Sequence, residues 1–433
     1  MTPLEERLQE ALSAAIDRYT VGNPNSKAIH EAAVDFLPGG NTRTVLHTDP
    51  FPLCVKSGEG YQVTTQDGLK LVNLTGEFTA CLFGHSHPVI KEAILDVVAN
   101  VGLNVSATTV QEQSHARETC QRFGLERVRF TNSGTEANLQ ALAAARHYTK
   151  KRKIVVFGGA YHGSVLGFPG GKPAANNVDL PDWIVTRYND LESTASAIRS
   201  EGVAAVLVEG IQGGGCIVGT PEFLRCIQET ASEAGVMFIL DEVMMSRHSA
   251  TGFAGMRGLK PDLKTFGKWL GGGVAFGAFG GRKDLMTAFD PRQPGSLPHS
   301  GTFNNNTMAM HLGHAGLTKI YKPQVADEFT DQGQQLIARL NEVTKGTKLC
   351  FTGCGSTFNS HFPSDGSREI NNADVQEVQE LKDLFWFEMV DKGFYPTRRG
   401  LIALILDTPK EVLDDFVKCV QAFITTYKEL VAV

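Results

Sequence analysis

The apolar run Val236-Met237-Phe238-Ile239-Leu240 offers no polar face to water and stops on Asp241-Glu242. A short run without polar alternation reads as a strand covered on both faces, the pattern of a parallel sheet. Further apolar runs recur at 154–157, 204–209 and 276–280, 127–130 reads as another strand, and helical spacing fills segments such as 88–100 and 135–149. This βαβ rhythm predicts an α/β fold with a mainly parallel sheet between helices. In such sheets ligands sit beyond the carboxyl ends of the strands, where Asp241 and Glu209 are delivered.

The flanking regions read differently. Residues 4–20 alternate apolar and charged positions as an amphipathic helix that packs on the body or on a partner subunit. Short strands are expected around 53–57, 61–64 and 71–73, with Asp67-Gly68 as a hairpin turn. After about residue 320 a helix near 325–344, a strand at 350–355, helices near 374–391 and 410–428 and a strand at 401–406 suggest a smaller α+β unit. The expected division is an N-terminal segment 1–75 packing with the small domain, a large domain 76–320 and a C-terminal small domain 321–433.

The bulk properties exclude several classes. A chain of 433 residues with net charge −6 gives no sign of nucleic-acid or anionic-membrane affinity. No apolar run reaches membrane-spanning length, and the N-terminus is neither a secretory signal nor a transit peptide. The eight cysteines are scattered without a C-x-x-C pair, which reads as reduced thiols in a cytoplasmic protein and no metal site.

Lys268 follows in Thr265-Phe266-Gly267-Lys268-Trp269-Leu270-Gly271, between two glycine positions. A strand-end carboxylate that holds a ring nitrogen protonated, and an amine that forms a Schiff base, are what pyridoxal phosphate chemistry asks of its protein. The segment Phe130-Thr131-Asn132-Ser133-Gly134-Thr135-Glu136 passes from strand to helix. Its N–H groups and hydroxyls suit a phosphate, so Ser133, Gly134 and Thr135 are candidate anion ligands. An ordinary N-cap supported by Glu136 explains the same residues without a ligand. Tyr161, after the Gly158-Gly159 turn, can lie flat on a planar ring, and His162 is either a cofactor contact or a hydrogen-bonding residue. Glu209 either reaches the cofactor or lysine or is a solvent-facing strand end. No G-x-x-x-x-G-K-[ST] and no strand-following G-x-G-x-x-G is present to compete.

With Ser133-Gly134-Thr135-Glu136, Tyr161-His162-Gly163, Asp241-Glu242-Val243 and Lys268 in this order, the chain resembles the class III aminotransferases of pyridoxal phosphate fold type I. The resemblance spans almost the whole length. It implies a large domain with a seven-stranded-type sheet and a smaller α+β domain. It also implies a Schiff base on Lys268, Asp241 on the pyridine nitrogen, and Val243 and Tyr161 on opposite ring faces. Lys264 is a rival lysine, but the family's pattern fits Lys268. Gly301-Thr302 matches the segment whose threonine reaches the phosphate of the neighbouring subunit, implying a homodimer with shared active sites.

Two subgroups look most similar: the β-amino-acid (β-phenylalanine type) aminotransferases and glutamate-1-semialdehyde 2,1-aminomutase. Both carry a segment like Pro38-Gly39-Gly40-Asn41-Thr42-Arg43, whose arginine can clamp a substrate carboxylate. Tyr395-Pro396-Thr397-Arg398-Arg399-Gly400 resembles the aminotransferases, with Arg399 as carboxylate ligand and Arg398 as fallback. Gly210 departs from the family, which has proline after the strand-end glutamate, and this implies a slightly shifted Glu209. The expected reaction moves an amino group from an amino acid, a β-amino acid first, to a keto acid such as 2-oxoglutarate or pyruvate. The alternatives are an aminomutase or racemase using the same Lys268, and a non-catalytic protein of the same fold.

Overall fold

The computed structural model describes residues 2–433. Three short N-terminal strands, β1 (Val55–Glu59), β2 (Gln62–Thr65) and β3 (Lys70–Asn73), form an antiparallel meander. A central sheet follows, built from β4 (Arg127–Thr131), β5 (Lys153–Phe157), β6 (Trp183–Thr186), β7 (Val203–Glu209), β8 (Met237–Asp241), β9 (Leu263–Gly267) and β10 (Gly277–Gly281). Its order is β4-β10-β9-β8-β7-β5-β6. Neighbours are parallel except at β10, which runs antiparallel to both β4 and β9. The C-terminal strands are β11 (Cys350–Cys354), β12 (Thr357–His361), β13 (Phe394–Tyr395) and β14 (Leu401–Ala403). The strands β11, β12 and β14 form an antiparallel sheet, whereas β13 adds in parallel to β3 and closes the N-terminal meander.

The apolar runs are buried on both faces, as their composition requires. Val206, Val208, Phe238 and Leu240 face the helix Pro221–Ala234 through Phe223, Leu224 and Ile227. The alternate residues Ala205, Leu207, Met237 and Ile239 face the helix Gly134–Thr149 through Ala137, Ala141 and Ala145. Alanines on that helix let it lie close to the sheet, which brings its N-terminus to the carboxyl edge. Fully burying one of the valines, leucines, isoleucines or phenylalanines of these strands contributes about 1.5–3 kcal/mol.

The helix Pro3–Gly22 starts with Thr2, which accepts from the Glu5 N–H while Glu5 reaches back to Thr2. It packs on the helix Gln379–Asp391, with Tyr19 edge-on to Phe387 at 5.2 Å and its hydroxyl donating to the Phe51 carbonyl at 2.8 Å. The N-terminal segment is thereby tied to the C-terminal elements through both a helix pair and the β3–β13 pairing. No helix among the described residues is long and apolar enough to cross a membrane.

Several boundaries differ from the sequence expectation. The strand expected at 401–406 ends at Ala403. The helix Pro88–Asp96 passes into a wider turn, Val97–Val101, instead of continuing unbroken. The strand β6, the partner strand β12 and the helices Val110–Phe123 and Pro221–Ala234 lie outside the sequence expectation, although the last has a clear apolar face of Phe223, Leu224 and Ile227. The β6 strand is half-buried throughout, as an edge strand is.

Candidate active site

The strands β7, β8 and β9 end side by side, with Glu209 opposite Asp241 and Asp241 opposite Thr265. Asp241 is only 3% exposed, yet three donors converge on it. Its Oδ2 accepts from Asn138 Nδ2 at 2.8 Å and from His162 Nδ1 at 2.8 Å, and its Oδ1 accepts from the Val243 N–H at 2.9 Å. Asn138 is fixed in turn. Its Oδ1 accepts from Thr265 Oγ1 at 2.8 Å, and its Nδ2 also donates to the His162 carbonyl at 2.9 Å. His162 is thus tied to the Asp241 carboxylate by a hydrogen bond. Its Nε2 is buried without a partner among the described residues.

Asn138 and Thr265 were not singled out from sequence. The signal was there: Asn138 is a polar residue within the alanine-rich face of the helix Gly134–Thr149, and it is 1% exposed. A buried amide on an apolar face needs partners, and its partners are the strand ends.

The helix Gly134–Thr149 begins where β4 stops. Ser133 is its N-cap and accepts from the Glu136 N–H at 3.2 Å, while Glu136 accepts from the Asn132 N–H at 2.8 Å. The capping interpretation of these residues therefore holds, but it leaves the N–H groups of Gly134 and Thr135 without a partner among the described residues. Thr135 Oγ1 accepts from the Ser164 N–H at 3.2 Å and keeps its own proton to donate. The cradle has no room for larger residues. A Cβ on Gly134 would meet the Val243 methyls at 2.8 and 2.9 Å, and one on Gly163, with φ +135°, would meet Thr135 Oγ1 at 2.3 Å. Free amides and a hydroxyl at a helix N-terminus, with a buried carboxylate at the ends of the neighbouring strands, fit a phosphorylated pyridine.

Lys268 follows β9 with φ +57°, a conformation that a side chain other than glycine's rarely adopts. Its Nζ donates to the Phe78 carbonyl at 2.9 Å. Burial pulls the amine down to about 8, with Asp241 pulling it the other way. An amine so shifted is partly neutral near neutral pH and can act as nucleophile and base. The glycines around it serve packing: a Cβ on Gly272 would meet Leu312 at 2.4 Å. The rival Lys264 points away, donating to the Phe123 carbonyl at 2.7 Å and lying 3.8 Å from Glu242. Glu242 is itself structural, accepting from the Phe253 and Ala254 N–H groups at 2.8 and 3.0 Å.

Glu209 is buried rather than solvent-facing, at 5% exposure. It accepts from the Tyr161 N–H at 3.0 Å and the Gly213 N–H at 2.8 Å, and burial lifts its carboxyl to about 7. Gly210 has a local cause: a Cβ there would strike the Phe253 ring at 2.0 Å, so no side chain, proline's included, fits. Tyr161 is 57% exposed above this edge.

Both arginines meet at one ring. The Arg43 guanidinium lies 5.2 Å and that of Arg399 5.1 Å from the centre of Phe78. Arg43 also pairs with Glu77, whereas Arg399 has no ion-pair partner among the described residues. The fallback Arg398 is engaged elsewhere, donating to Asp383 at 2.8 Å and to the Asp49 carbonyl and lying over Trp386 and Phe387. Thr302 stands apart on an exposed loop and makes no contact with these groups through a side-chain hydrogen bond. That loop borders a 940 Å³ groove lined by residues including Thr109, Glu112, Arg129, His299 and Asn305. The run Gly76–Thr79 that carries Phe78 has φ of +48°, +48°, +53° and +80°. Left-handed backbone costs a residue other than glycine roughly 1–2 kcal/mol.

Known proteins share this architecture. Residues 45–352 match the family described as aminotransferase class-III. The beta-phenylalanine transaminase of Variovorax paradoxus is 43% identical over 424 residues, covering 96% of each chain. A glutamate-1-semialdehyde 2,1-aminomutase of Methanocella arvoryzae is 31% identical over 86% of this chain and 91% of its own. Among solved structures, the beta-phenylalanine aminotransferase of Variovorax paradoxus superposes with a TM-score of 0.94, covering 98% of this chain and 99% of its own at 42% identity. An omega-transaminase of Sphaerobacter thermophilus gives 0.85 at 31% identity over 93% of this chain and 98% of its own.

Proposed function

The chain belongs to the class III aminotransferases, pyridoxal phosphate enzymes that move an amino group from an amino acid to a keto acid, and on that premise we propose that its donor is a β-amino acid. We further propose that Arg43 and Arg399 are its carboxylate ligands and Lys268 and Asp241 its catalytic pair. The observation that carries this reading is the convergence on Phe78: its carbonyl holds the Lys268 amine and its ring lies against both guanidiniums. A substrate's one or two carboxylates find opposite charge at the two guanidiniums, close to the lysine whose place its amine takes.

When bound, pyridoxal phosphate supplies an aldehyde for amine exchange and an electron sink for the bond broken at the substrate carbon. Ser133, Gly134 and Thr135 would hold its phosphate, and Asp241 its ring nitrogen. Val243 would lie on one ring face and Tyr161 on the other, with Glu209 near the edge. Lys268 would hold the cofactor and, as a free amine, would serve as the base that moves the proton at the substrate carbon. Burial prepares it for this by lowering the amine to about 8. Arg399, lacking an ion-pair partner, takes the first carboxylate, and Arg43 exchanges Glu77 for the second. Either 2-oxoglutarate or pyruvate would complete the cycle.

The enzyme acts as a homodimer in this reading, with Thr302 reaching the partner's phosphate site. Its support is an apolar surface beside that loop: Val98, Leu103, Val110 and Phe303 are 61%, 57%, 73% and 53% exposed.

The test is a half-reaction. The holoenzyme is mixed with β-, α- and ω-amino acids without an acceptor, and the absorbance of the lysine-linked cofactor is followed. Loss of that band with one equivalent of keto product from the β-amino acid alone is expected. Loss with α-amino acids only would move the donor class. An isomerised substrate without keto product would move the reading to an aminomutase or racemase.

A further inference from the structure

The left-handed run Gly76–Thr79 is the most strained backbone near the site, and Glu77, Phe78 and Thr79 gain nothing from glycine's freedom. Something outside the run must hold it. Asn73, at the end of β3 and 6% exposed, does so with one oxygen. Its Oδ1 accepts from the Thr75 N–H at 2.9 Å, the Thr75 hydroxyl at 2.7 Å and the Gly76 N–H at 3.2 Å. Its Nδ2 faces His85 Nε2 at 3.0 Å, and burial pushes that histidine toward its neutral, accepting form. The amide is therefore oriented, with its oxygen committed to the turn.

The far side of the turn is clamped too. A Cβ on Gly76 would strike the Ala403 carbonyl at 2.3 Å, and the Cys81 N–H donates to the Gly76 carbonyl at 3.0 Å. Between these two supports the chain has one way to go, and it turns the Phe78 carbonyl toward Lys268 Nζ at 2.9 Å.

We propose that Asn73 is a positioning residue for Lys268: it fixes the left-handed turn whose Phe78 carbonyl is the resting place of the lysine amine whenever that amine is free. The inference rests on the reading of Lys268 as the cofactor lysine. In each half-reaction the lysine leaves and rejoins the cofactor, so its rest position decides how often it is aligned to act. Asn73 touches neither the lysine nor the cofactor cradle and works only through backbone.

The experiment measures covalent capture of pyridoxal phosphate by the full chain freed of cofactor, trapped with borohydride and read by mass, across pH and cofactor concentration. In Asn73→Ala the limiting rate of capture is expected to fall about tenfold, within the range for residues that orient a reacting group. The cofactor concentration at half-maximal rate should stay within about twofold, since the phosphate cradle is untouched. The pH midpoint of the limiting rate should fall, because a free ammonium loses its carbonyl acceptor. Asn73→Asp keeps the accepting oxygen and should capture at nearly the normal rate. Asn73→Ser makes the same turn bond more weakly and should lie between, which keeps the test open if the alanine variant does not fold. Normal rate and midpoint in a folded alanine or serine variant would overturn the proposal. Lys268→Ala separates the two layers: if it still captures the cofactor covalently, the reading of Lys268 fails. If it does not, while the Asn73 variants behave normally, only the role of Asn73 fails.

Discussion

The sheet edge around Asp241 and the rim around Phe78 solve opposite problems. At the edge, Asp241 is buried and each of its oxygens is met by a donor, Asn138 and His162 on one and the Val243 N–H on the other, with Asn138 fixed in turn by Thr265. At the rim, Arg43 is partly exposed, pairs with Glu77 and lies over an aromatic ring beside Arg399. The first arrangement suits a group that never leaves, because a buried charge is tolerable only when its partners are permanent. The second suits ligands that come and go, because exposed charge pairs cost little to exchange. The two regions also come from different parts of the chain. The edge is built by the central sheet and its first covering helix, whereas the rim draws on segments near residues 43, 78 and 399.

Substitutions should separate the regions by the kinetic constant they move. The largest effect is expected from Lys268→Ala: turnover should fall at least about a thousandfold while pyridoxal phosphate stays bound without a covalent link. Spectra and mass of the trapped protein check this, and normal turnover would remove Lys268 from the mechanism. Asp241→Asn should lower kcat by about a hundredfold or more, since it removes the charge that faces the ring nitrogen and sets an amide against two donors. A change confined to KM would mean that the edge is not where electrons are stabilised.

At the rim the pattern should reverse. Arg399→Ala should raise KM for a dicarboxylate acceptor about tenfold with kcat nearly unchanged, the loss of a charge-assisted hydrogen bond. Steady-state kinetics with 2-oxoglutarate and pyruvate decide it, and an unchanged KM would move the role to Arg43 alone.

The smallest effect is on stability. Burial lifts Glu209 to about 7 from the usual glutamate value, so the native state keeps a proton that the unfolded chain has already lost. Its penalty is absent at low pH and grows as pH rises to about 7. Melts of the cofactor-free protein from pH 5 to 8 should show a decline that Glu209→Gln flattens. Equal slopes in both proteins would mean that Glu209 titrates normally.

Much of the edge was legible in the chain. Unbroken apolar runs ending in Glu209 and Asp241 announce buried strands and the side on which they finish, because a strand covered on both faces tolerates a carboxylate only at its end. Lys268 between glycines and Ser133-Gly134-Thr135 after β4 were recognisable by the same local logic. The choice between Lys268 and Lys264 rested on the family pattern rather than on local logic; in the structure Lys264 lies within β9 and reaches Phe123 and Glu242, whereas Lys268 follows the strand in a left-handed turn.

What the sequence determined alone is the αβ alternation and the chemistry delivered to one sheet edge, since both follow from periodicity and strand length. The tertiary structure decided the rest. Asn138 gains its role only when its helix meets β8 and β9, and Arg43 and Arg399 become neighbours only because both fold onto Phe78. The left-handed turn at Gly76–Thr79 has a local element in Asn73, whose side chain bonds the backbone two and three residues on, but the Ala403 carbonyl packed against Gly76 comes from a distant strand. Contacts between residues far apart in the chain carry no periodic signal, so only the packed molecule could show them.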